Sequence, residues 1–571
     1  MLDKLRLHLA NPNSNNLPLS ILAILCGLIV GLVIVAFRLI IETVQAAMLP
    51  DNNPENYEAL SWWAILCLPI LGGLLLGLLF QKLAPEQRLM GVPHTMERLA
   101  YHHAHLPFKN AFLQFICAAI SIIAGHSVGR EGPSIHLGAA SGSLFGQSLR
   151  FPNNAIRTLT ACGIAAAIAA AFNTPLAGVI FTLEVVLLEY TLVSFIPIIL
   201  AAVAATTVCR LVFGDAPIFN VPPITLTSVT ELPWMIGCGM IIGLLAVFFI
   251  RSLFFFSRQL PHASIILRMT CAGLIVGLCG LLAPQIMGIG YDTVNESFIG
   301  QIGIVLLILI TFTKIIGTSA SLGLGLPGGL IGPTLVIGAC AGGAIGHILQ
   351  LTIPDFFSDP GLYAMIGMAA MMGATLQAPM AALIALLELT NNPNIILPGM
   401  LAIIAANLVA SEGFKTRGVF SMQLNAQGFK YHTDPVIQTL RRQSVTSIMD
   451  PNFTLVPQYI KQAQLTEQLN KNTNWLVIEN EKKIVAVIPT ANLQDLLDMS
   501  STDDIDLLHD IDPELPANAI SIQATLHEVY DKTTECEQIL YVVSPSTKKP
   551  IHIKGIIGPK QFVKEQWLKP Y

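Results

Sequence analysis

Apolar residues along this chain fall in long unbroken runs more than in alternation. Residues 17–36, 62–80, 234–250 with apolar extensions on both sides, and 298–316 with Lys314 near the end are each almost continuously apolar. Wound as a helix, about 20 residues match a hydrocarbon core roughly 30 Å thick, so each run predicts a membrane-spanning helix. Shorter or glycine-interrupted runs, such as 111–124 and 335–349, lie between them. Lipid cannot satisfy the backbone polar groups of a segment that stops halfway, so these runs predict helices that end against protein or along a cavity. Many crossings with interrupted helices among them predict a transporter or channel, not a domain on a single anchor. Beyond Phe420 the pattern becomes mixed and charged, and a soluble region is expected from about residue 433. Within it, Asn474-Trp475-Leu476-Val477-Ile478, Ile484-Val485-Ala486-Val487-Ile488 and Ile539-Leu540-Tyr541-Val542-Val543 read as strands between polar turns, with 551–557 a fourth and 492–497 helical.

Composition agrees with this reading. Of 571 residues, 53% are hydrophobic and 12% charged, which leaves too few polar groups to clothe a soluble protein. Lys4, Arg6 and His8 precede the first run, and that run is too long for a signal-peptide core, so no cleaved leader is expected. The next loop carries Asp51, Glu55 and Glu58 without Lys or Arg, whereas residues 81–98 carry Lys82, Arg88 and Arg98. This asymmetry predicts a cytoplasmic N-terminus, and a bacterial inner membrane is the simplest expectation. A net charge of −5 with no basic cluster excludes a nucleic-acid partner. Nine of the ten cysteines are scattered through apolar segments without ligand spacing and read as small core residues. Gly323-Leu324-Gly325-Leu326-Pro327-Gly328 satisfies the dinucleotide-binding spacing, but no strand precedes it and a proline sits inside it. No enzyme activity and no metal are expected.

The chain repeats itself. Gly163-Ile164-Ala165-Ala166-Ala167 leads to Pro175-Leu176-Ala177-Gly178 and Glu184; Gly367-Met368-Ala369-Ala370-Met371 leads to Pro379-Met380-Ala381-Ala382 and Glu388, about 204 positions later. Gly129-Arg130-Glu131-Gly132-Pro133 likewise returns as Gly329-Leu330-Ile331-Gly332-Pro333. Duplicated halves with glycine- and proline-interrupted segments at matching places point to a site near the midplane, lined by helix N-termini. The first copy sets Glu131 among glycines where an apolar helix begins. A carboxylate at membrane depth is a functional-site hypothesis by default, and a helix start, with its unpaired N–H groups and partial positive charge, is an anion site. Glu131 is thus expected to act as a tethered anion that leaves the site when protonated or displaced.

These residues resemble the CLC chloride channels and proton/chloride antiporters over residues 17–427. Residues 129–133 match the family's GREGP motif; 329–333 stand at GxFxP with Ile331 for the aromatic; Leu89-Met90-Gly91-Val92-Pro93 stands at GSGIP; Phe420 stands at the inner-gate tyrosine. The resemblance implies an α-helical multi-pass membrane fold with two inverted-repeat halves, 17–215 and 231–427, after a cytoplasmic segment 1–16. A linker, 428–444, would lead to a soluble α/β tail, 445–571, that resembles a tandem of cystathionine-β-synthase-type (CBS) domains. The implied partners are chloride or a related anion, protons, the lipid bilayer and a second copy of the chain in a homodimer. Glu131 would be the gate, and backbone amides at the helix starts after Gly91, Gly129 and Gly329, with Met90, Val92, Arg130, Gly132, Leu330, Ile331 and Phe420, would line the anion path. In the CBS-like tail Asn492 and Gln561 replace acidic residues that would bind ribose, so no nucleotide cofactor is expected.

Three departures from the family pattern change the picture. Met90 stands for a serine and Phe420 for a tyrosine, so two hydroxyl donors to the anion are missing. Methionine there is also similar to the fluoride-exporting branch. Val185 stands where antiporters carry an internal proton glutamate; Glu184, matched by Glu388, and Glu189, four residues on along the expected helix, are the alternative relays. The expectation is therefore chloride movement gated by Glu131, channel-like or weakly proton-coupled, with a proton-coupled chloride or fluoride antiporter using another internal route as the alternative. A membrane sensor with the tail as its output is a third reading. Among the histidines, His126 and His136 are expected to modulate Glu131, while His94 and the group His102, His103 and His105 read as loop or interfacial residues.

Overall fold

The computed structural model describes residues 9, 17–189, 192–219, 221–222, 224, 226–353, 356–429, 435–469, 473–480, 483–493, 504–509, 517–535, 538–543 and 552–558. They form two compact units. One comprises Leu19–Gln147 and Arg157–Tyr431; the other comprises Met1–Pro18, Ser148–Ile156 and His432–Tyr571. The expected 428–444 linker is in part helical, at Pro435–Arg442, and the stretch Ser148–Ile156 groups with the tail.

Nine helices among the described residues are long and apolar enough to cross a membrane. The runs at 17–36, 62–80 and 234–250 lie within Leu17–Met48, Trp62–Gln81 and Leu232–Ser257. The run at 298–316 does not form one helix: Tyr291–Phe298 ends there, Gly300 turns at φ +66, and the span itself is Ile304–Gly323. The short runs belong to Phe108–Ile123 and Ile331–Thr352. Asn153–Phe172 and Ile265–Leu282 carry Arg157 and Arg268 and are less evident from apolarity alone. The first of these is 94% buried, so it spans within protein and tolerates polar residues that lipid would not.

The two halves match element by element. Trp62–Gln81 corresponds to Ile265–Leu282, Gly91–Tyr101 to Tyr291–Phe298, Phe108–Ile123 to Ile304–Gly323, Glu131–Ser148 to Ile331–Thr352, and Asn153–Phe172 to Pro360–Leu376. Small residues let the matched pairs cross closely. Gly138 packs on the Gly163 carbonyl and Gly163 on the Gly138 carbonyl; Gly338 and Gly367 repeat the exchange, and no Cβ fits at any of the four. The halves are joined reciprocally. Glu388 accepts from the N–H groups of Leu176 (3.0 Å) and Ala177 (2.7 Å), and Glu184 accepts from those of Met380 (3.1 Å) and Ala381 (2.6 Å). Each carboxylate caps the helix start of the opposite half, where unpaired donors and the helix dipole favour a negative charge. At the centre Gly129 and Gly329 form an antiparallel bridge, with N–H to carbonyl distances of 2.7 Å both ways. Equivalent residues pairing antiparallel are what a two-fold relation between inverted halves produces.

The tail unit is α/β and is itself repeated. Phe453–Pro457 pairs parallel with Trp475–Asn480, which pairs antiparallel with Lys483–Pro489. Ala517–Ser521, Ile539–Val543 and Ile553–Ile557 repeat that order and sense. Buried Leu476, Ile478, Ile488 and Leu465 fill one core, and Leu526, Val529, Leu540 and Val542 the other. The expected helix at 492–497 lies largely outside the described residues, as does Gln561.

Replacing Gly163 or Gly367 with leucine should force the paired helices apart and destabilise the folded protein by about 1–3 kcal/mol or more. Thermal unfolding in detergent is expected to move well down, whereas Gly237→Ala, at a helical position with nothing within 4 Å, should leave the midpoint within experimental error.

Candidate functional site

The site is built where two helices are broken. Phe108–Ile123 and Ile304–Gly323 each end in a loop whose first glycine takes positive φ (Gly125 +73, Gly325 +104), a conformation a side chain would strain. The chain then reverses and starts Glu131–Ser148 and Ile331–Thr352. Before these starts lies the Gly129–Gly329 bridge. Gly129, expected to offer its amide to an anion, therefore donates that N–H to the Gly329 carbonyl instead, at 2.7 Å.

Glu131 is fully buried. Its Oε2 accepts from the Gly332 N–H at 3.1 Å, in the first turn of the opposite half's helix Ile331–Thr352. The carboxylate therefore sits on the partner repeat's helix start, not on that of its own helix. Its Oε1 accepts from the Tyr291 hydroxyl. Arg130, the neighbouring cation, does not pair with it. The Arg130 guanidinium bonds Glu42 at 3.1 Å, which also holds Arg38 at 2.6 Å, and lies 5.5 Å from the centre of the Tyr291 ring. Ile331, the repeat counterpart of Glu131, is buried and contributes no polar group.

Tyr291 is fixed from behind. It opens the helix Tyr291–Phe298 after Gly290, whose φ is +84, and Glu55 Oε2 accepts from the Tyr291 N–H at 3.2 Å. The buried Lys314 ammonium donates to the carbonyls of Ile286 (2.9 Å), Gly288 (3.1 Å) and Ile289 (3.0 Å), tying down the loop that carries the tyrosine. Burial, with the Asp292 carboxylate close by, pushes the Glu55 carboxyl up to about 7. Burial and the same neighbour push Glu58, in the same loop, up to about 7.

A cavity of about 400 Å³ gathers another part of the expected path. Met90, Gly91, Val92, Gly132, Leu330 and Phe420 line it together; Arg130, Glu131 and Ile331 do not. The Met90 thioether and the Phe420 ring offer no hydroxyl. The Gly91 N–H, expected to be free for an anion, donates to Gln114 Oε1 at 2.8 Å.

The proposed relay residues are dispersed. Val185 is buried within a stretch of π-helix, Thr182–Leu187. Leu188 then adopts a left-handed conformation (φ +53) and ends that helix, so Glu189 is not one turn beyond Val185 on a common face. Glu184 is engaged in the cap of the opposite half. Neither His126 nor His136 bonds Glu131: His136 bonds His94 and Gln114, each at 3.2 Å, and both nitrogens of His126 lack a hydrogen-bond partner. His102 pairs with Glu97 at 2.8 Å.

Sequence reasoning missed Tyr291, Glu42, Glu55 and Gln114. The repeat offset was the available signal for one of them, because Tyr291 is the counterpart of Gly91 and therefore opens the matching helix. Lys314 was visible as a cation inside an apolar run, the same signal that singled out Glu131.

Residues 72–411 match the sequence profile of the family described as voltage gated chloride channel. A putative chloride channel protein, ClcB-like, from Ralstonia nicotianae is 33% identical over 400 residues, 68% of this chain and 92% of that protein. An H(+)/Cl(-) exchange transporter, ClcA, from Salmonella arizonae is 30% identical over 407 residues, 69% of this chain and 86% of that protein. A solved structure of a eukaryotic CLC transporter shares the fold over 95% of this chain and 98% of its own, with TM-score 0.61 at 18% identity. With the inverted halves and paired helix starts described above, these matches establish that the chain is an integral multi-pass membrane protein belonging to the voltage-gated chloride channel (CLC) family.

Proposed function

We propose that this protein moves chloride passively, or with weak proton coupling, along a pathway gated by Glu131. One observation carries the reading: the Glu131 carboxylate is seated on the first turn of the opposite helix, an anion site that a permeating chloride would need. Chloride and the carboxylate then compete for the same donors, and protonation removes the competitor. The cavity lined by Met90 and Phe420 would be the inner vestibule, with the N-terminus on the same, cytoplasmic side of a bacterial inner membrane. The absence of a carboxylate at position 185, and the engagement of Glu184 in a helix cap, argue against an internal proton route through that region. The relative named an exchange transporter, and methionine at position 90, favour as second reading a proton-coupled antiporter for chloride or fluoride.

The assembly we propose is a homodimer with one pathway per subunit, which light scattering in detergent would report as twice the 61.5 kDa chain. The repeated three-stranded halves of the tail support a pair of CBS-type domains without a nucleotide; ATP is then expected to leave its thermal unfolding unchanged.

In proteoliposomes, Glu131→Gln should raise chloride flux at pH 7–8 and remove most of its rise on acidification; unaltered flux at every pH would falsify the gate. A chloride gradient should drive little proton uptake, and uptake at a fixed ratio would reject the channel-like reading in favour of the antiporter. Running the same assay with fluoride distinguishes the two anions.

Tyr291→Phe removes one hydrogen bond to a charged group, worth about 1.5–3 kcal/mol. It should weaken the seated carboxylate and raise flux at pH 7 by roughly tenfold or more, with no further gain when combined with Glu131→Gln.

Glu55 and Glu58 protonate as the pH falls through about 7 and then cease to repel incoming anions. In the Glu131→Gln background the remaining pH dependence is therefore expected to be a modest fall in flux as external pH rises through that value. Changing both residues to glutamine should flatten it.

A further inference from the structure

We infer that the side-chain amide of Gln114 is a direct hydrogen-bond donor to the transported anion in the cavity lined by Met90 and Phe420. The inference rests on the proposed anion pathway and deepens it. It concerns the donors that replace the two missing hydroxyls.

Gln114 is 1% exposed, sits on the helix Phe108–Ile123, and contributes to the wall of the cavity. Its two ends are treated differently. Oε1 accepts from the Gly91 N–H at 2.8 Å and lies 3.2 Å from His136 Nδ1. Nε2 is buried and has no hydrogen-bond partner. The usual ambiguity between amide oxygen and nitrogen is absent here, because a backbone N–H can only donate and so requires the oxygen to face Gly91.

The histidines reinforce that orientation. Arg98 Nε, a donor only, lies 3.2 Å from His94 Nε2, which must therefore accept. A neutral His94 then carries its proton on Nδ1 and donates to His136 Nε2 at 3.2 Å. His136 in turn carries its proton on Nδ1 and donates to Gln114 Oε1. The chain Arg98, His94, His136 and Gln114 thus runs in one direction, with both imidazoles neutral, and holds the NH2 group where it has no protein partner. Two buried N–H donors without an acceptor are expensive unless a ligand supplies one.

The other half of the molecule shows that this spare donor is not demanded by the fold. Lys314 occupies the equivalent place on Ile304–Gly323 and likewise braces the loop before the matching helix. Its ammonium directs three bonds into carbonyls of that loop. Gln114 braces its loop with the oxygen alone, and the NH2 remains over. In a cavity where Met90 and Phe420 bring no hydroxyl and the Gly91 N–H is already engaged, this neutral group is suited to a halide. It offers two donors to an anion without the fixed charge that would trap it.

The test is chloride affinity, measured by calorimetry on purified full-length protein in the Glu131→Gln background, so that the gate does not compete. Gln114→Glu keeps an oxygen for Gly91 and His136 but replaces the donor by an acceptor. At pH 9, where the new carboxyl is ionised, chloride affinity should fall at least about tenfold. Gln114→Met should also weaken binding, and adding Met90→Ser to it should restore part of the loss by supplying a hydroxyl. Unchanged affinity in Gln114→Glu at pH 9 would overturn the inference. So would loss in Gln114→Met that Met90→Ser does not repair while Gln114→Glu binds normally, because Gln114 would then serve only as a prop for Gly91. Failure of the gate would appear elsewhere, in the pH dependence of flux, which these binding measurements do not use.

Discussion

Two helices that begin inside a membrane must find acceptors for their first N–H groups, and the rest of the transmembrane structure follows from how this chain does it. Water is not there to help. The Gly129–Gly329 bridge joins the two approach loops, and it needs glycine: a Cβ on Gly329 would lie 2.6 Å from the Gly132 nitrogen and 3.0 Å from the Gly129 carbonyl oxygen. Once the loops are joined, each helix start faces the other half. The donor on Gly332 is then left for an anion, and Glu131 supplies one from its own chain. The same device recurs at the periphery, where Glu184 and Glu388 cap each other's half. Peripheral and central carboxylates differ in what else is possible at the site. Glu184 and Glu388 each hold two backbone donors, whereas Glu131 holds one backbone donor and one hydroxyl.

Much of this was legible in the sequence. Apolar runs gave the long helices that face lipid, and the duplication located both broken helices and both capping glutamates. Asn153–Phe172 was less evident for a physical reason: it is enclosed by protein, so selection against polar residues is relaxed there. Glu131 declared itself as a charge in an apolar setting, but its seat on the opposite helix did not, because spacing along the chain says nothing about which of two equivalent helix starts a side chain reaches. The expected place of Glu189, one turn beyond Val185 on a common face, is lost for a local reason. A left-handed residue, Leu188, interrupts a helix that hydrophobic spacing would have continued.

Divergence between the halves marks the chemistry more sharply than the shared motifs do. Shared positions, such as Gly138 with Gly338 and Glu184 with Glu388, hold helices together. Positions that differ lie at the site: Glu131 against Ile331, Gly91 against Tyr291, and Gln114 against Lys314. Tyr291 and Gly91 open equivalent helices in inverted halves; the hydroxyl at one secures the carboxylate, while the lack of a side chain at the other leaves room in the cavity. A symmetric pair of glutamates at 131 and 331 would put two carboxylates against the same bridge. The isoleucine leaves a single carboxylate at the bridge.

Full positive charges are kept from becoming traps. Arg130 is matched by Glu42, and Lys314 is enclosed by three carbonyls with Glu55 and Asp292 in the adjoining segments. A free cation at the bottom of a narrow path would bind chloride tightly and release it slowly, since conduction needs sites that hold an ion only weakly. Along the proposed path Gly332 offers a backbone amide, Tyr291 a phenol and Gln114 a carboxamide, while Arg88, a cation on the cavity wall, turns its Nε to the Leu83 carbonyl at 2.9 Å. On the proposed reading the Glu131 carboxylate is of the same sign as the cargo, so an arriving anion meets a competitor for the same donors. Weak neutral donors and a tethered rival of like charge are two halves of one arrangement, because a gate can be displaced by its own substrate only where neither is bound strongly.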